Sequence, residues 1–160
     1  MAVNSQVIDS NVTFTRPANT TAYADGDAIT DSASSPSVLE FENIGSGSSQ
    51  FVEISNVILT TTAAAAGPGV ELWLFDTTFT AVNDNSAFSL TDAENLTVVA
   101  VIPIGNKFDA TNNGFLQSDD LTKIVKLGNG TSLFGMLVAT ASYTPANAEV
   151  FDITLFVKRH

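Results

Sequence analysis

Apolar and polar residues alternate at a period of two through most of the chain, and a helical period is almost absent. In residues 6–15, Ile8, Val12 and Phe14 fall on one side and Asp9, Asn11 and Thr13 on the other. This predicts a half-buried strand ended by Arg16-Pro17. Residues 38–43 repeat the pattern, with Leu39 and Phe41 set between Glu40 and Glu42. A longer strand is expected over 51–61, with Val52, Ile54 and Ile58 inward and Glu53 and Ser55 outward. Residues 70–75 read as a buried strand, and the β-branched run 97–104 as one covered on both faces. Strands over 121–127, 132–143 and 149–158 follow, the first two joined by Gly128-Asn129-Gly130, a tight-turn signal. Short connections between these three predict an antiparallel meander.

Between the strands, turn chemistry dominates. Asp25-Gly26-Asp27 is a turn by its residues, Thr30 to Ser37 a small-residue loop, and Gly45 to Ser49 an exposed, flexible turn. Residues 61–69 end in Gly67-Pro68-Gly69 and read as a loop, as does the polar stretch 105–114 around Phe108. Thr91 followed by Glu94 matches a capping box and predicts one helical turn. The connection after residue 75 is different in kind. It carries Phe79, Val82, Phe88 and Leu90 among Asp76, Asn83, Asp84 and Asn85, so it should be ordered and pinned to the core by its own apolar side chains. The fold class expected is all-β: one antiparallel β-sandwich of jelly-roll type spanning 1–160, about 8–10 strands, at most one short helix. A short N-terminal segment, about residues 1–9, is expected to extend for contacts.

Composition narrows the function. The 160 residues suffice for one substantial core, and the absence of cysteine excludes a disulfide framework or a thiolate metal site. With 17 acidic against 6 basic residues the net charge is −11, which disfavours a phosphate backbone, so no nucleic-acid partner is expected. Only Lys123 with Lys126, and Lys158-Arg159-His160, lie near one another in sequence. No apolar run is long enough to span a bilayer, and the opening Met-Ala-Val-Asn-Ser-Gln has no signal-peptide character, so no membrane partner is expected.

Catalytic chemistry finds little purchase. The sole histidine is His160, so a Ser-His-Asp triad lacks a positioned base, and Gly45-Ser46-Gly47 lacks the lysine and helix of a phosphate loop. Glu40/Glu42 and Asp119-Asp120 are conceivable carboxylate pairs but read better as solvated charges. Asp25-Gly26-Asp27 and Asp84-Asn85, with Asp76 and Asp92, offer oxygen ligands for calcium, yet ordinary turn capping is the preferred reading. No catalytic, cofactor-binding or metal-binding residue is assigned, and no enzyme is expected. Trp73, Phe75, Phe79 and Phe88 could line a carbohydrate platform, but apolar Leu72 and Leu74 favour core packing. The Asn-X-Ser/Thr triplets at Asn11, Asn19, Asn95 and Asn129 are what an Asn- and Thr-rich chain produces by chance.

Two stretches carry a resemblance. Val12 to Tyr23, followed by Asp25-Gly26-Asp27, resembles the opening of small structural proteins of tailed-phage virions: a strand, an Arg-Pro turn, Thr-Ala-Tyr, then a Gly-Asp pair. Glu71-Leu-Trp-Leu-Phe-Asp76 with Ala81 to Phe88 resembles their second motif, where an Asp-Asn pair precedes Phe. Together they cover about a fifth of the chain; one departure is Phe79-Thr80, where that pattern has a proline before the threonine. The resemblance implies a capsid decoration (cement) protein of jelly-roll-like fold. Its partner would be the major capsid protein, with self-association as a dimer or trimer on the capsid. It would reside on the outer surface of the virion, after assembly in the host cytoplasm. Residues 1–9, 61–69 and 105–114 are the contact segments this implies. The alternative is a tail, baseplate or host-glycan-binding β-sandwich.

Overall fold

The computed structural model describes residues 6–62, 69–109 and 113–159. Its elements are β1 (Gln6–Thr15), β2 (Ala28–Ile29), β3 (Leu39–Phe41), β4 (Phe51–Thr61), β5 (Val70–Phe75), α1 (Asp92–Asn95), β6 (Val98–Asp109), β7 (Gly114–Ser118), β8 (Lys123–Lys126), β9 (Leu133–Ala139) and β10 (Val150–Arg159). Every strand pairing is antiparallel. The strands form one curled sheet in the order β1-β10-β4-β7-β6-β5-β9-β2, with β8 following β7 along β4 and β3 following β2 along β9.

The sheet folds over at β6. Residues 98–104 of that strand pair with β5, and residues 105–109 pair with β7. The result is two layers: a front sheet of β1, β10, β4 and β7/β8, and a back sheet of β6, β5, β9 and β2/β3. If each broken strand is counted once, the front sheet holds the first, eighth, third and sixth strands and the back sheet the fifth, fourth, seventh and second. That is jelly-roll order, as the alternation led one to expect.

This order overturns the expected meander. β8 lies beside β4 in the front sheet, β9 beside β5 in the back sheet, and β10 between β1 and β4 in the front again. Successive strands cross between layers, because each must turn its apolar face toward the same slab. Gly128-Asn129-Gly130 is therefore a crossover rather than a hairpin. A Cβ on Gly128 would run into the carbonyl of Asp76, which is why no larger residue fits that crossing. The 45–49 turn is likewise tied down: Gly45 N–H donates to Thr131 O (3.0 Å) and Ser49 N–H to Gly128 O (2.8 Å).

Between the layers sits a shared core. β10 contributes Phe151, Ile153, Leu155 and Val157, β4 contributes Val52, Ile54, Val57 and Leu59, and β5 and β6 contribute Leu72, Leu74, Ile102 and Ile104. Full burial of such a side chain is worth about 1.5–3 kcal/mol each, so this slab dominates stability. Ile58, expected to face inward, is only half-buried, and Val57 and Leu59 take the core. The cause is a register shift against β10: Asn56 pairs with Phe156 but Ile54 with Val157, so Ser55 is an extra residue. One inserted residue flips the facing of every side chain beyond it.

Other expectations changed in extent. The 97–104 run is buried on one face only, at Ala100, Ile102 and Ile104, with Pro103 exposed. The polar stretch 105–114 is mostly strand, continuing β6 and starting β7. Segments 63–68 and 1–5 lie outside the described residues, as does His160. The capping box is present: Glu94 N–H donates to the Thr91 hydroxyl, and the Glu94 carboxylate accepts from Thr91 N–H (2.9 Å). Glu94 also accepts the Thr80 N–H at 2.8 Å. That amide, then the amide and hydroxyl of Thr91, hold its carboxyl down at about 2.

Candidate docking surface and the buried charge lock

The connection from Asp76 to Thr97 folds back over the outer face of the back sheet and roofs it. Phe79 and Phe88 press onto this face, joined by Val82 and Leu90, and form a second apolar cluster with Phe75, Met136 and Val138. Phe75 and Phe79 stack at 4.0 Å between ring centroids, and Trp73 meets Phe88 edge-on at 5.1 Å. Phe75 and Phe79 are packing, as preferred from the sequence, while Trp73 and Phe88 pack against each other and stay half-buried.

A buried charge cluster fastens this roof. Arg16, at the end of β1, is 1% exposed and directs all five guanidinium N–H groups to acceptors. Its Nε donates to Tyr23 Oη (2.8 Å), Nη1 to the carbonyls of Asn19 and Ala146, and Nη2 to Asn19 Oδ1 (3.1 Å) and Asp84 Oδ2 (3.2 Å). Asp84 also accepts from the Tyr23 hydroxyl (2.5 Å) and the Thr30 amide (3.1 Å). The turn that aims Asp84 inward places Asn85 at a φ of 57°, a left-handed conformation asparagine tolerates. Main-chain bonds finish the seam: Asn85 N–H to Ala28 O (3.0 Å), Ala28 N–H to Ser86 O (2.9 Å), and Phe88 N–H to Gly26 O (2.8 Å).

Burial opposes charge on Arg16, but the Tyr23 hydrogen bond and the Asp84 charge outweigh it and raise its pKa. Burial first, then the bond to Asp84, raises the Tyr23 phenol. Behind them Tyr143 stacks on Tyr23 (5.1 Å between centroids), and Glu149 is 1% exposed. Burial raises the Glu149 carboxyl, partly offset by the Thr61 hydroxyl and the Ala146 amide that it accepts from.

The candidate ligand and acid–base residues scatter. Asp84 is consumed by the lock, and Asp27 caps its own turn through the Ala24 amide (2.7 Å). Asp92 sits in α1, and Asp76 follows β5. Among the described residues no group of three or more potential ligands forms. Glu40 lies on β3 in the back sheet, whereas Asp119-Asp120 precede β8 at the front. One juxtaposition escaped the sequence: Asp25 and Glu71 share a cleft of about 420 Å³ with Trp73 and Phe88, and Glu71 accepts from Trp73 Nε1 (3.1 Å). They lie far apart in the chain, and only the pairing of β5 with β9 brings them together.

Among the described residues the front sheet has no such roof. At the end where β4 hands over to the 61–69 connection, a cleft of about 360 Å³ opens between Thr60–Thr62 and Phe108, Asn113 and Phe115. Phe108 is 64% exposed on its rim. Two of the three contact segments expected from the sequence, 61–69 and 105–114, thus converge at this cleft through their described residues. The third does not join them: Gln6 pairs with Arg159, while Val150 pairs with Thr15 at the cleft end. The N-terminal strand therefore begins at the opposite end of β10, about 30 Å away by strand rise.

No family model and no curated protein sequence matches the chain. Solved structures with some similarity to it include one of Desmodium yellow mottle tymovirus, at 12% identity over 99% of this chain and 83% of the other, TM-score 0.32. A maize chlorotic mottle virus structure aligns at 6% identity over 98% of this chain and 93% of the other, TM-score 0.31. The K1 cleaved adhesin domain of Lys-gingipain from Porphyromonas gingivalis W83 aligns at 11% identity over 94% and 98%, TM-score 0.30.

Proposed function

We propose that this chain is a non-enzymatic virion structural protein, a capsid decoration protein that binds the outside of a major capsid protein shell. What supports the reading is the closure of the two resembling stretches into one unit. Arg16 and Tyr23 of the first grip Asp84 of the second, and their backbones are stitched together from Gly26 to Phe88. The residues that carry the resemblance are thus the ones that build the roof. The exposed front face, with its cleft beside Phe108, is left as docking surface.

The expected shell contact is the cleft end of the front sheet. Its partner surface is basic, since the chain carries −11, and attachment weakens with salt. The test is co-sedimentation of the purified protein with undecorated shells over a range of salt. Binding that Phe108→Asp abolishes supports the proposal. Failure to bind at any salt concentration removes it.

A second reading rests on Trp73. This half-buried ring lies between the cleft bordered by Asp25 and Glu71 and another of about 350 Å³ bordered by Asp92 and Asn95. An aromatic face flanked by acceptors suits a sugar, as in a host-glycan-binding component of a tail or baseplate. Reproducible binding on a glycan array, lost in Trp73→Ala, would favour it over decoration.

A further inference from the structure

The lysines and arginines are confined to one layer. Residues 17–106 contain eleven acidic residues and no lysine or arginine. Apart from β4, this span builds the back sheet and its roof; β9, which completes that sheet, carries no charge. Of the six cations, Arg16 is consumed in the lock, while Lys123, Lys126, Lys158 and Arg159 gather at one end of the front sheet.

The same end carries exposed apolar side chains. Val7 pairs with Lys158, Lys158 with Glu53, and Glu53 with Ile124, making one outward row across four strands; Phe51 pairs with Lys126 in the next row. Val7 is 62%, Phe51 59% and Ile124 66% exposed. Glu53 is ion-paired with Lys158 at 2.9 Å, so the acid within the patch is already balanced. Lys126 shares the outward side and makes no ion pair among the described residues, whereas Lys123 pairs with buried Ile54 and leaves the opposite side of β8. An apolar patch with an uncompensated cation at its edge is the anatomy of an interface, with a desolvated centre and a polar rim.

A surface with the opposite sign exists on the other side of the same molecule. On the roof, Leu96 is 86% exposed at the end of α1, with Asp92 one turn before it and the Trp73–Leu90 cleft beside it. We infer that the Val7–Phe51–Ile124 patch of one copy docks on the α1 corner of a second copy. A two-fold contact of the patch with itself would bring Lys126 toward its own equivalent. The head-to-tail arrangement instead sets Lys126 against Asp92 and apolar Ile124 against Leu96. The two patches face away from each other on opposite layers, so each copy can hold two neighbours. Copies then join in a ring or a row, as a protein tiling a shell requires. This goes beyond the shell contact, which uses the opposite end of the front sheet, and it is tested without shells.

The test uses two single variants, Ile124→Glu on the patch and Leu96→Lys on the α1 corner, both at exposed positions. Analytical ultracentrifugation of the wild type should show concentration-dependent association that weakens with added salt. Each variant alone should associate about tenfold or more weakly. Mixed one to one, they should form a heterodimer and stop there, because one intact patch meets one intact corner. A wild type that stays monomeric at every concentration overturns the inference. So does association unchanged in either variant, or variants that fail to combine while circular dichroism shows both folded.

Discussion

The outer faces of the two sheets have opposite fates. On the back sheet, Trp73, Phe75, Met136 and Val138 are covered by the chain's own 76–97 connection. On the front sheet Val7, Phe51, Phe108 and Ile124 stay in water. The difference is not one of composition, since both faces are rich in large apolar groups. It lies in where a long connection exists and what holds it. The roof closes because Asp84 reaches a guanidinium whose every donor is satisfied, and a buried pair of this kind tolerates no half-measures. Among the described residues no connection covers Val7, Phe51 or Ile124 on the front sheet, and they stay exposed.

Breaking the lock should show this most strongly. Asp84→Ala strands the Arg16 charge and should cost about 3–5 kcal/mol in denaturant unfolding. Trp73 fluorescence should shift red as Phe88 lifts away. Next in size is Gly128→Ala, where the added methyl meets the Asp76 carbonyl at the foot of the roof; repacking there should cost about 1–3 kcal/mol. Removing the N-cap with Thr91→Ala should cost about 1 kcal/mol. Its effect should fade in acid. Because the Glu94 carboxyl is depressed to about 2, the stabilisation it brings is present above the ordinary value of 4.5 and is lost as pH falls toward 2.

Glu149 sharpens the comparison from the other direction. Burial raises its carboxyl above 4.5, so the folded state holds the proton more tightly than the unfolded chain. That stabilisation is complete below the unfolded value and is lost as pH climbs through the raised folded one. Glu149→Gln should therefore flatten the melting temperature against pH on the alkaline side of about 4.5, measured by thermal denaturation. On the open front face, Ile124→Ser should move stability by no more than about 0.5 kcal/mol. A larger loss there would mean that the patch serves the fold and not a partner.

Much of the architecture was legible in the sequence. Period-two runs located β1 and β10 to within a residue or two, and the apolar content of 51–61 and 70–75 located β4 and β5 as closely. Thr91 and Glu94 announced α1, and Phe79 and Phe88 announced an ordered roof. What escaped was non-local. β7 went unread after the polar stretch because it is short and only Leu116 and Gly114 in it are buried. The facing of Ile58 turned on one extra residue that only pairing with β10 reveals. Arg16 and Asp84 each looked like ordinary turn residues, and nothing local says that side chains 68 positions apart share a buried hydrogen bond.

Native-state hydrogen exchange on the free protein tests the central claim most directly, by comparing the amides of Ala28, Asn85 and Phe88 with those of β5 and β10. If the roof is fastened into the fold, these amides exchange only with global unfolding, as slowly as the core strands. Fast exchange at Asn85 and Phe88 while β5 stays protected would make the roof a separate lid. The claim that the roof is a fixed part of the fold would then be wrong.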